Sequence, residues 1–353
     1  MPPIKLLKGA DYSYSVMNNP VIVMRIIVDA FGGDNAPLEI IKGCAEAADE
    51  LGIEIILAGK GETIKKTASE NGIDISKMEI LEAAEIITME DDPSSVIKTK
   101  PESSMAVGMK ALVEGKGDAF ASAGNSGALV YGSTMIVKRI KGVKRVTFAS
   151  ILPKDKGFTM LSDTGANVEC RPEMVDQFAL MGSVYMEKVM NIKNPRVGLV
   201  NVGTEDHKGG EFQHQCFAVL KENKDINFIG NIEARDIPVD AADVVVCDGF
   251  TGNVVVKLYE GVAMALMGKF KTMFRKNIKT KLAAAMVLSD MNDLKKELDY
   301  NEYGGAPIIG ACKPVFKIHG SAKAKTVKNA LKLTKAYVES GIIKDITEAV
   351  AKE

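Results

Sequence analysis

The 353-residue sequence has few cysteines and almost no net charge, and each shortage excludes a class of protein. Its five cysteines are widely separated and form no C-x-x-C pair, so neither a disulfide framework nor a zinc site is indicated. A formal net charge of -1 argues against nucleic acid as a partner. No run of about 18 apolar residues occurs, which excludes an ordinary transmembrane helix. With 46% hydrophobic and 26% charged residues, the composition is typical of a globular cytoplasmic protein.

The sequence also lacks the motifs of several familiar enzyme classes. The stretch "LAGKGET" contains a Gly-Lys pair, but its spacing differs from G-x-x-x-x-G-K-[ST], and Gly61 stands where that motif has Ser or Thr. No G-x-G-x-x-G follows the first predicted strand, and no G-x-S-x-G nucleophile elbow occurs. These absences argue against a nucleotide-driven kinase and a dinucleotide-dependent dehydrogenase. The sequence favours a structural role for His214 and leaves both chemistry and helix capping open for His319.

Short β-branched runs alternate with longer helical patterns from Met24 onward. The strand candidate "RIIVDA" is followed by the helix candidate "LEIIKGCAEAADEL", and similar segments continue as far as the strand candidate "ADVVVCDG". This alternation predicts parallel βα units. We expect residues 24–342 to form one folded domain. Residues 1–23 lack the features of a secretory signal and are expected to be a leader outside the fold.

Five predicted strands end in turns that combine glycine with Asp, Asn, Ser or Thr. In open parallel sheets, ligands bind beyond the carboxyl ends of the strands, where loops and helix N-termini gather. Glycine lets the backbone approach a phosphate closely, and helix N-termini present unpaired N–H groups. One such turn is ordinary turn chemistry, but five on the same edge predict a shared anion-binding crevice. The turns are "DAFGGDNAP", "SAGNSGA", "DTGAN", "NVGTEDHKGGE" and "CDGFTGN".

Seven stretches of the chain, taken in order, resemble the successive signatures of the bacterial acyl-carrier-protein:phosphate acyltransferases of phospholipid synthesis. The resemblance spans residues 24 to about 337. Four positions depart from the usual pattern, because Phe31, Ser126, Arg171 and Ala322 stand where Met, Thr, Lys and Ser are usual. The stretches are "DAFGGDNAP", "SAGNSGA", "DTGANVECRPE", "NIEARDI", "CDGFTGNVVVK", "EYGGAP" and "KIHGSAKA".

The resemblance implies transfer of a fatty acyl group from its thioester with acyl carrier protein to inorganic phosphate, giving acyl phosphate. It implies a three-layer α/β/α fold with a mostly parallel sheet, similar to the phosphotransacetylases and the isocitrate dehydrogenase group. A protruding helical segment is expected at about 260–300. The family is typically homodimeric, and no metal or other cofactor is implied. Two alternatives stay open: an enzyme acting on a small acyl coenzyme A thioester, and a non-catalytic membrane adaptor that binds acyl carrier protein.

The implied chemistry requires little side-chain reactivity. A thiol with a pKa of about 8.5 leaves readily, and phosphate is already an anionic nucleophile. Preorganised donors that hold phosphate against the thioester therefore suffice. Asp34 and Asp248 are expected to orient donors or cap helices. The expected catalytic residues are Lys100, Asn125, Lys257 and His319, and the expected phosphate-binding residues are Gly32, Gly33, Asn125, Ser126, Gly127 and Asn167.

A basic segment between Lys269 and Lys281, "KFKTMFRKNIKTK", interleaves cations with apolar residues at helical spacing and contains no acid. It fits a helix face packed on a dimer partner, a docking surface for an acidic carrier protein, or a peripheral contact with anionic lipid. We favour lipid contact, because the apolar stretch "LAAAMVL" follows directly. The expected contact residues are Lys271, Arg275, Lys276, Leu282, Met286, Val287 and Leu288.

Overall fold

Eleven strands form one sheet in the part of the chain that the structure describes, which is residues 23–298 and 305–352 of a computed structural model. The strands are β1 (Arg25–Asp29), β2 (Glu54–Gly59), β3 (Glu79–Glu82), β4 (Ala119–Ser122), β5 (Thr147–Lys154), β6 (Gly157–Ser162), β7 (Arg196–Asn201), β8 (Asn227–Glu233), β9 (Val244–Val246), β10 (Gly305–Ile309) and β11 (Val315–Ile318). Across the sheet their order is β3-β2-β1-β4-β11-β10-β5-β6-β9-β7-β8.

Eleven α-helices accompany the sheet within the same described ranges. They are α1 (Leu38–Leu51), α2 (Gly61–Glu70), α3 (Ser104–Val113), α4 (Ser126–Gly132), α5 (Pro172–Lys188), α6 (Glu211–Glu222), α7 (Gly249–Arg275), α8 (Ile278–Met286), α9 (Leu288–Leu298), α10 (Ala324–Glu339) and α11 (Ile342–Val350). Two short 3₁₀ helices, Pro93–Val96 and Ala234–Val239, and a π-helical turn, Ser133–Val137, lie between them.

Strand direction reverses in the middle of the sheet. Strands β3, β2, β1, β4 and β11 are mutually parallel, and so are β6, β9, β7 and β8. Between these halves, β11 with β10, β10 with β5, and β5 with β6 are antiparallel pairs. The predicted mostly parallel sheet with flanking helices is confirmed. Three successive reversals, however, leave the two parallel halves running in opposite directions.

The prediction that the five glycine-containing turns share one edge is therefore wrong. The turns after β1 and β4 leave one edge of the sheet, and those after β6, β7 and β9 leave the other. The sequence pattern predicts β5 and β6 as members of parallel βα units, but they form an antiparallel hairpin. Strands β10 and β11, which that pattern does not predict, complete the reversal.

Alternating strand residues build a core on both faces of the sheet. In β1, Ile26 and Val28 pack into a cluster that includes α1, α5 and α10, whereas Ile27 packs into a second cluster with α3. This alternation follows from the pleat of a strand, which points successive side chains to opposite faces. Because successive strand residues are apolar on both faces, the sheet can pack a helix layer on each side, which gives the three-layer arrangement.

The second face of the sheet carries two separate apolar clusters. Phe148 of β5 belongs to the cluster under α3 and α4, and Leu152 belongs to another cluster that contacts the start of α7. These two residues lie on the same face of β5, about 13 Å apart at the usual rise of a strand. The helix layer is therefore open over the centre of β5.

One boundary of the folded domain differs from the prediction. Helix α11 packs against α5, and Ile342, Ile346 and Val350 are buried in the core. The folded unit therefore extends beyond residue 342. The predicted leader, residues 1–23, lies outside the described residues except for Val23.

Helices α7, α8 and α9 contain the predicted helical segment at about 260–300. Only Gly249 and Gly252 of α7 are buried, and no residue of α8 is. Large apolar side chains are exposed along both helices, including Leu258, Leu282 and Met286. Within the described ranges, no helix combines the length and the hydropathy needed to span a bilayer.

An ion-pair network joins the far end of β5 to β7 and to the loop before β9. The buried ammonium of Lys154 contacts Asp243 Oδ1 at 2.8 Å and also pairs with Asp240. Arg196 Nε donates to Asp243 Oδ2 at 3.0 Å. Burial opposes ionisation of Asp243, but hydrogen bonds from Arg196 and Lys154 hold the pKa of its carboxyl well below the usual range.

Replacing Asp243 by Asn should lower the free energy of unfolding by about 2–3 kcal/mol, because Lys154 loses one of its two carboxylate partners. Urea denaturation at neutral pH measures this loss. Since the folded-state pKa of Asp243 is depressed, the stabilisation exists above the unfolded pKa of about 3.9 and is lost as the pH falls below it. The exposed Asp225→Asn variant serves as the control. Equal midpoints for the two variants would contradict the prediction.

Candidate functional site

A cavity of about 470 Å³ occupies the opening over the centre of β5. Strands β5 and β10 line its floor, α7 lines one wall, and the segments after β4, β6 and β11 close its ends. Loops from opposite edges of the sheet meet here, because the antiparallel strands of the floor lie between them. The polar lining residues are Ser126, Ser150, Thr164, Asn253, Lys257, Glu260, Lys317 and His319.

Helix α7 contributes Asn253, Lys257 and Glu260 to the cavity at i, i+4 and i+7, a spacing that aligns side chains on one helix face. Asp248 caps this helix, since its Oδ1 accepts the backbone N–H of Thr251 at 2.9 Å. Asn253 Nδ2 donates to the carbonyl oxygen of Thr164 at 3.1 Å. The helix is thereby fixed to the turn after β6, which orients its cavity face.

Lys317 supplies an ammonium group from β11. Its Nζ donates to the carbonyl oxygens of Ala123 at 2.9 Å and Gly124 at 2.6 Å. Burial lowers the pKa of Lys317 to about 8, although the carboxylates of Asp29 and Asp34 act in the opposite direction. An ammonium has three donors, so two held by backbone carbonyls leave one for the cavity that this residue lines.

His319 follows Lys317 by two residues and lines the same cavity. The backbone N–H of Ser321 donates to its Nδ1 at 3.3 Å, and the Ser321 hydroxyl lies 2.9 Å from the same atom; with Nδ1 as the acceptor of both, the proton of the neutral ring is on Nε2. Burial lowers the pKa of His319, the Lys317 charge lowers it further, and Asp34 opposes both. His319 Nε2 lies 4.0 Å from Glu260 Oε2 across the cavity.

Comparisons with known proteins agree with one another. A protein-family model described as "Fatty acid synthesis protein" matches residues 24–345. The phosphate acyltransferase of Acetivibrio thermocellus is 46% identical over 326 residues, which cover 92% of this chain and 96% of that protein. The chain belongs to the phosphate acyltransferase family of fatty acid synthesis proteins. The phosphate acyltransferase of Clostridioides difficile is 40% identical over 330 residues, with 93% and 97% coverage.

Solved structures with low sequence identity share the fold of this phosphate acyltransferase family member. A phosphotransacetylase from Streptococcus pyogenes matches with a TM-score of 0.61 at 14% identity, covering 90% of this chain and 94% of that one. A branched-chain phosphotransacylase from Enterococcus faecalis gives 0.58 at 12% identity, with 90% and 99% coverage. The fold class expected from the sequence is confirmed.

Three residues expected at a phosphate acyltransferase site line the cavity, namely Ser126, Lys257 and His319. Lys257 is exposed, and within the described residues its ammonium makes no hydrogen bond or ion pair with another side chain. It is therefore available to an anionic ligand.

Gly32 and Gly33 pack against the loop after β4 and do not line the cavity. A Cβ on Gly32 would lie 2.5 Å from the Gly124 nitrogen, and one on Gly33, at φ +96°, would lie 2.8 Å from the Gly320 carbonyl oxygen. Asp34 donates its backbone N–H to the same carbonyl oxygen at 2.8 Å. These residues fix the ends of β4 and β11 relative to each other.

The structure gives Asn125 and Lys100 positions that differ from the expected catalytic ones. Asn125 Oδ1 caps α4 by accepting the N–H of Ala128 at 3.0 Å, and its Nδ2 donates to the backbone carbonyl oxygens of Thr88, Met89 and Asp91. Lys100 Nζ pairs with Asp91 at 2.7 Å. The Asn125 amide and the Lys100 ammonium therefore both bind the segment 86–91.

Asn167 and Gly127 also lie outside the cavity lining. Asn167 Nδ2 donates to Val146 O at 2.8 Å and to Asp163 Oδ2 at 2.9 Å. A Cβ on Gly127 would approach Pro93 Cγ to 2.7 Å. Asn167 follows β6, so the strand reversal separates it from Gly127 and the other glycines expected beside it.

Five polar residues of the cavity are not among the predicted site residues, and the two that carry a formal charge are Lys317 and Glu260; the others are Ser150, Thr164 and Asn253. Glu260 stands three residues after Lys257, so the helical period of α7 was the signal that identifies it. Lys317 interrupts the apolar run "VFKI", and a charged residue within such a run indicates a polar partner or site. Helical spacing and a single charge in an apolar run are both common in sequences, so they identify a site less specifically than a glycine-containing motif does.

Replacing Asn125 by Ala should lower the free energy of unfolding by about 1–3 kcal/mol. The side chain is 8% exposed, and its loss removes the α4 cap and leaves backbone groups at 88–91 without a donor. Urea denaturation measures the effect. The neighbouring Ser126 hydroxyl makes no hydrogen bond to any described residue. The control variant Ser126→Ala should therefore change the free energy of unfolding by less than about 0.5 kcal/mol. An unchanged free energy of unfolding in Asn125→Ala would contradict the structural role assigned to this side chain.

Proposed function

We propose that this protein transfers a fatty acyl group from acyl carrier protein to inorganic phosphate, releasing acyl phosphate for phospholipid synthesis and free carrier protein. The observation that carries the proposal is the cavity, in which Lys257, Lys317 and His319 lie beside an apolar floor in a member of the phosphate acyltransferase family. The cations match an anionic acceptor, and the apolar lining matches an acyl chain. Its apolar residues include Met89, Phe148, Ile151, Leu152 and Val256.

The proposed reaction balances without an enzyme-bound intermediate. An oxygen of hydrogen phosphate attacks the thioester carbonyl, a C–O bond forms, and the C–S bond breaks. The phosphate proton ends on the departing thiolate. Since the thiol has a pKa of about 8.5, its departure needs little proton donation. The site must therefore position two substrates and stabilise negative charge on the carbonyl oxygen.

The cavity residues divide these tasks in the proposed mechanism. Lys257 and Lys317 attract and hold phosphate from opposite walls. His319 in its neutral form presents an Nε2–H donor to the oxyanion, fixed in this tautomer by the N–H of Ser321. A neutral imidazole suits this task, because burial and Lys317 both depress its pKa.

Incubating the full chain with palmitoyl acyl carrier protein and phosphate, and trapping acyl phosphate with hydroxylamine, tests the activity. Lys257→Met should lower kcat/KM by about 100-fold, because an unpaired ammonium is lost from the acceptor site. Lys65→Met, at an exposed position of α2 outside the cavity and the basic segment, is the control and should retain wild-type activity.

Other outcomes of that assay identify the alternatives. Turnover of acetyl coenzyme A but not of palmitoyl acyl carrier protein would indicate a small-acyl phosphotransacetylase. Binding of the carrier protein with no acyl phosphate formed would indicate a membrane adaptor. Either result would contradict the proposed activity, and equal losses in the Lys257 and Lys65 variants would contradict the assigned role of Lys257.

The exposed helices provide two further contacts in the proposal. The tip formed by α8 and the start of α9 carries Leu282 and Met286, which are 63% and 87% exposed, next to the cations of the basic segment. We assign this tip to the surface of an anionic membrane. The apolar stripe of Phe250, Val254 and Leu258 at the start of α7 is assigned to a second copy of the chain, giving a homodimer.

Replacing Leu282 or Met286 by Glu should reduce co-sedimentation with anionic liposomes by about tenfold, since each change puts a charge where apolar surface would be buried. The control is Val239→Glu, an exposed apolar position in the 3₁₀ helix before β9. Unchanged liposome binding in both tip variants would rule out the membrane assignment while leaving acyl transfer untouched.

A further inference from the structure

Glu260 poses an electrostatic problem in a cavity that is proposed to bind an anion. Its side chain is only 16% exposed and belongs to the same wall as Lys257. Burial raises the pKa of Glu260, and the Lys257 charge lowers it. A carboxylate at this place repels any anion that presents only acceptor oxygens.

The carboxylate also has no hydrogen-bond donor of its own among the residues that the structure describes. His319 Nε2 lies 4.0 Å from Glu260 Oε2, which is beyond hydrogen-bond distance. A half-buried carboxylate without a protein donor gains stability from a ligand that brings one into its low-dielectric surroundings. Glu260 lines the cavity, so a ligand bound there can supply that donor.

Resting on the proposed function, we infer that Glu260 accepts a hydrogen bond from the P–OH group of hydrogen phosphate and so selects proton-bearing tetrahedral anions over sulfate. An ionised carboxylate is an acceptor only, and hydrogen phosphate combines acceptor oxygens with one O–H donor. The acceptor oxygens match Lys257 and Lys317, and the O–H matches Glu260. One anion thereby satisfies both kinds of group.

Sulfate has nearly the same size and charge but carries no proton near neutral pH. At this site it would place an oxygen lone pair against the Glu260 carboxylate, with no hydrogen bond to offset the repulsion. A hydrogen bond involving a charged group is worth enough to discriminate by about 10-fold to 100-fold. Arsenate, which keeps a proton near neutral pH, should behave like phosphate.

The test is calorimetric titration of the full-length protein with phosphate, arsenate and sulfate at constant ionic strength. Wild type should bind phosphate and arsenate about 10-fold to 100-fold more tightly than sulfate. Glu260→Gln removes the charge and adds an N–H donor, so sulfate affinity should rise and the ratio of phosphate to sulfate affinity should fall to within about threefold. Glu260→Asp keeps the carboxylate and should keep the preference. Glu222→Gln, on the exposed end of α6, is the matched control and should behave like wild type.

Several results would overturn the inference. Equal wild-type affinity for phosphate and sulfate would do so without any variant, and so would an unchanged affinity ratio in Glu260→Gln. If acyl phosphate is formed but wild type binds phosphate and sulfate equally well, the inference about Glu260 is wrong and the proposed function stands. If wild type binds none of the three anions and forms no acyl phosphate, the proposed function fails with it.

Discussion

The reversal of strand direction between β11 and β6 is the constraint on which the candidate site depends. In a sheet of parallel strands, loops at the carboxyl ends gather at one edge and a ligand binds there. Here β10 and β5 run antiparallel to their neighbours, so the β4 and β11 ends reach the cavity from one edge and the β6 end reaches it from the other. The cavity consequently lies over the face of the central strands. Its walls belong to both halves of the sheet, so a shift between the halves would change the distance between Lys317 and Lys257.

Close backbone packing makes that distance reproducible. A Cβ on Gly252 would lie 1.8 Å from the carbonyl oxygen of Asp163, so α7 rests directly on the turn after β6 and only glycine fits. The Asp163 carboxylate in turn accepts backbone N–H groups from residues 165–167, which shapes this turn around the first residues of α7. On the opposite wall, Lys317 is held by two backbone carbonyls. Groups fixed before the substrate arrives cost no reorganisation when charge develops, which is the condition for electrostatic catalysis.

Local patterns in the sequence predict most of the strands and helices, and the ordered glycine-containing stretches identify the family. Neither kind of signal predicts the site, because strand direction and side-chain partners depend on contacts between residues distant in the chain. "VTFASIL" and "FTMLSD" read as strands in either orientation, and only their pairing as a hairpin reverses the sheet. Lys100 is expected to be catalytic, but its Nζ donates to Asp91 Oδ2 and to the carbonyl oxygen of Ile86, and no local pattern indicates these contacts. Lys257 and His319, which the sequence predicts to be catalytic, both line the cavity, and their catalytic roles stay predictions.

Helix α7 relates the proposed chemistry to the surface of the protein. Lys257 faces the cavity, whereas its neighbour Leu258 is exposed, so the same helical turn contacts both the reaction site and an unpartnered apolar stripe. A long acyl chain loses about 0.8 kcal/mol for each CH₂ group that moves from an apolar environment into water. A fatty acyl phosphate would therefore leave the cavity slowly into solvent and more readily along a continuous apolar surface. Exposed apolar side chains continue along α7 from Leu258 to Val262 and Met264, which gives a physical reason for the folded domain to carry an apolar helix face that it does not bury.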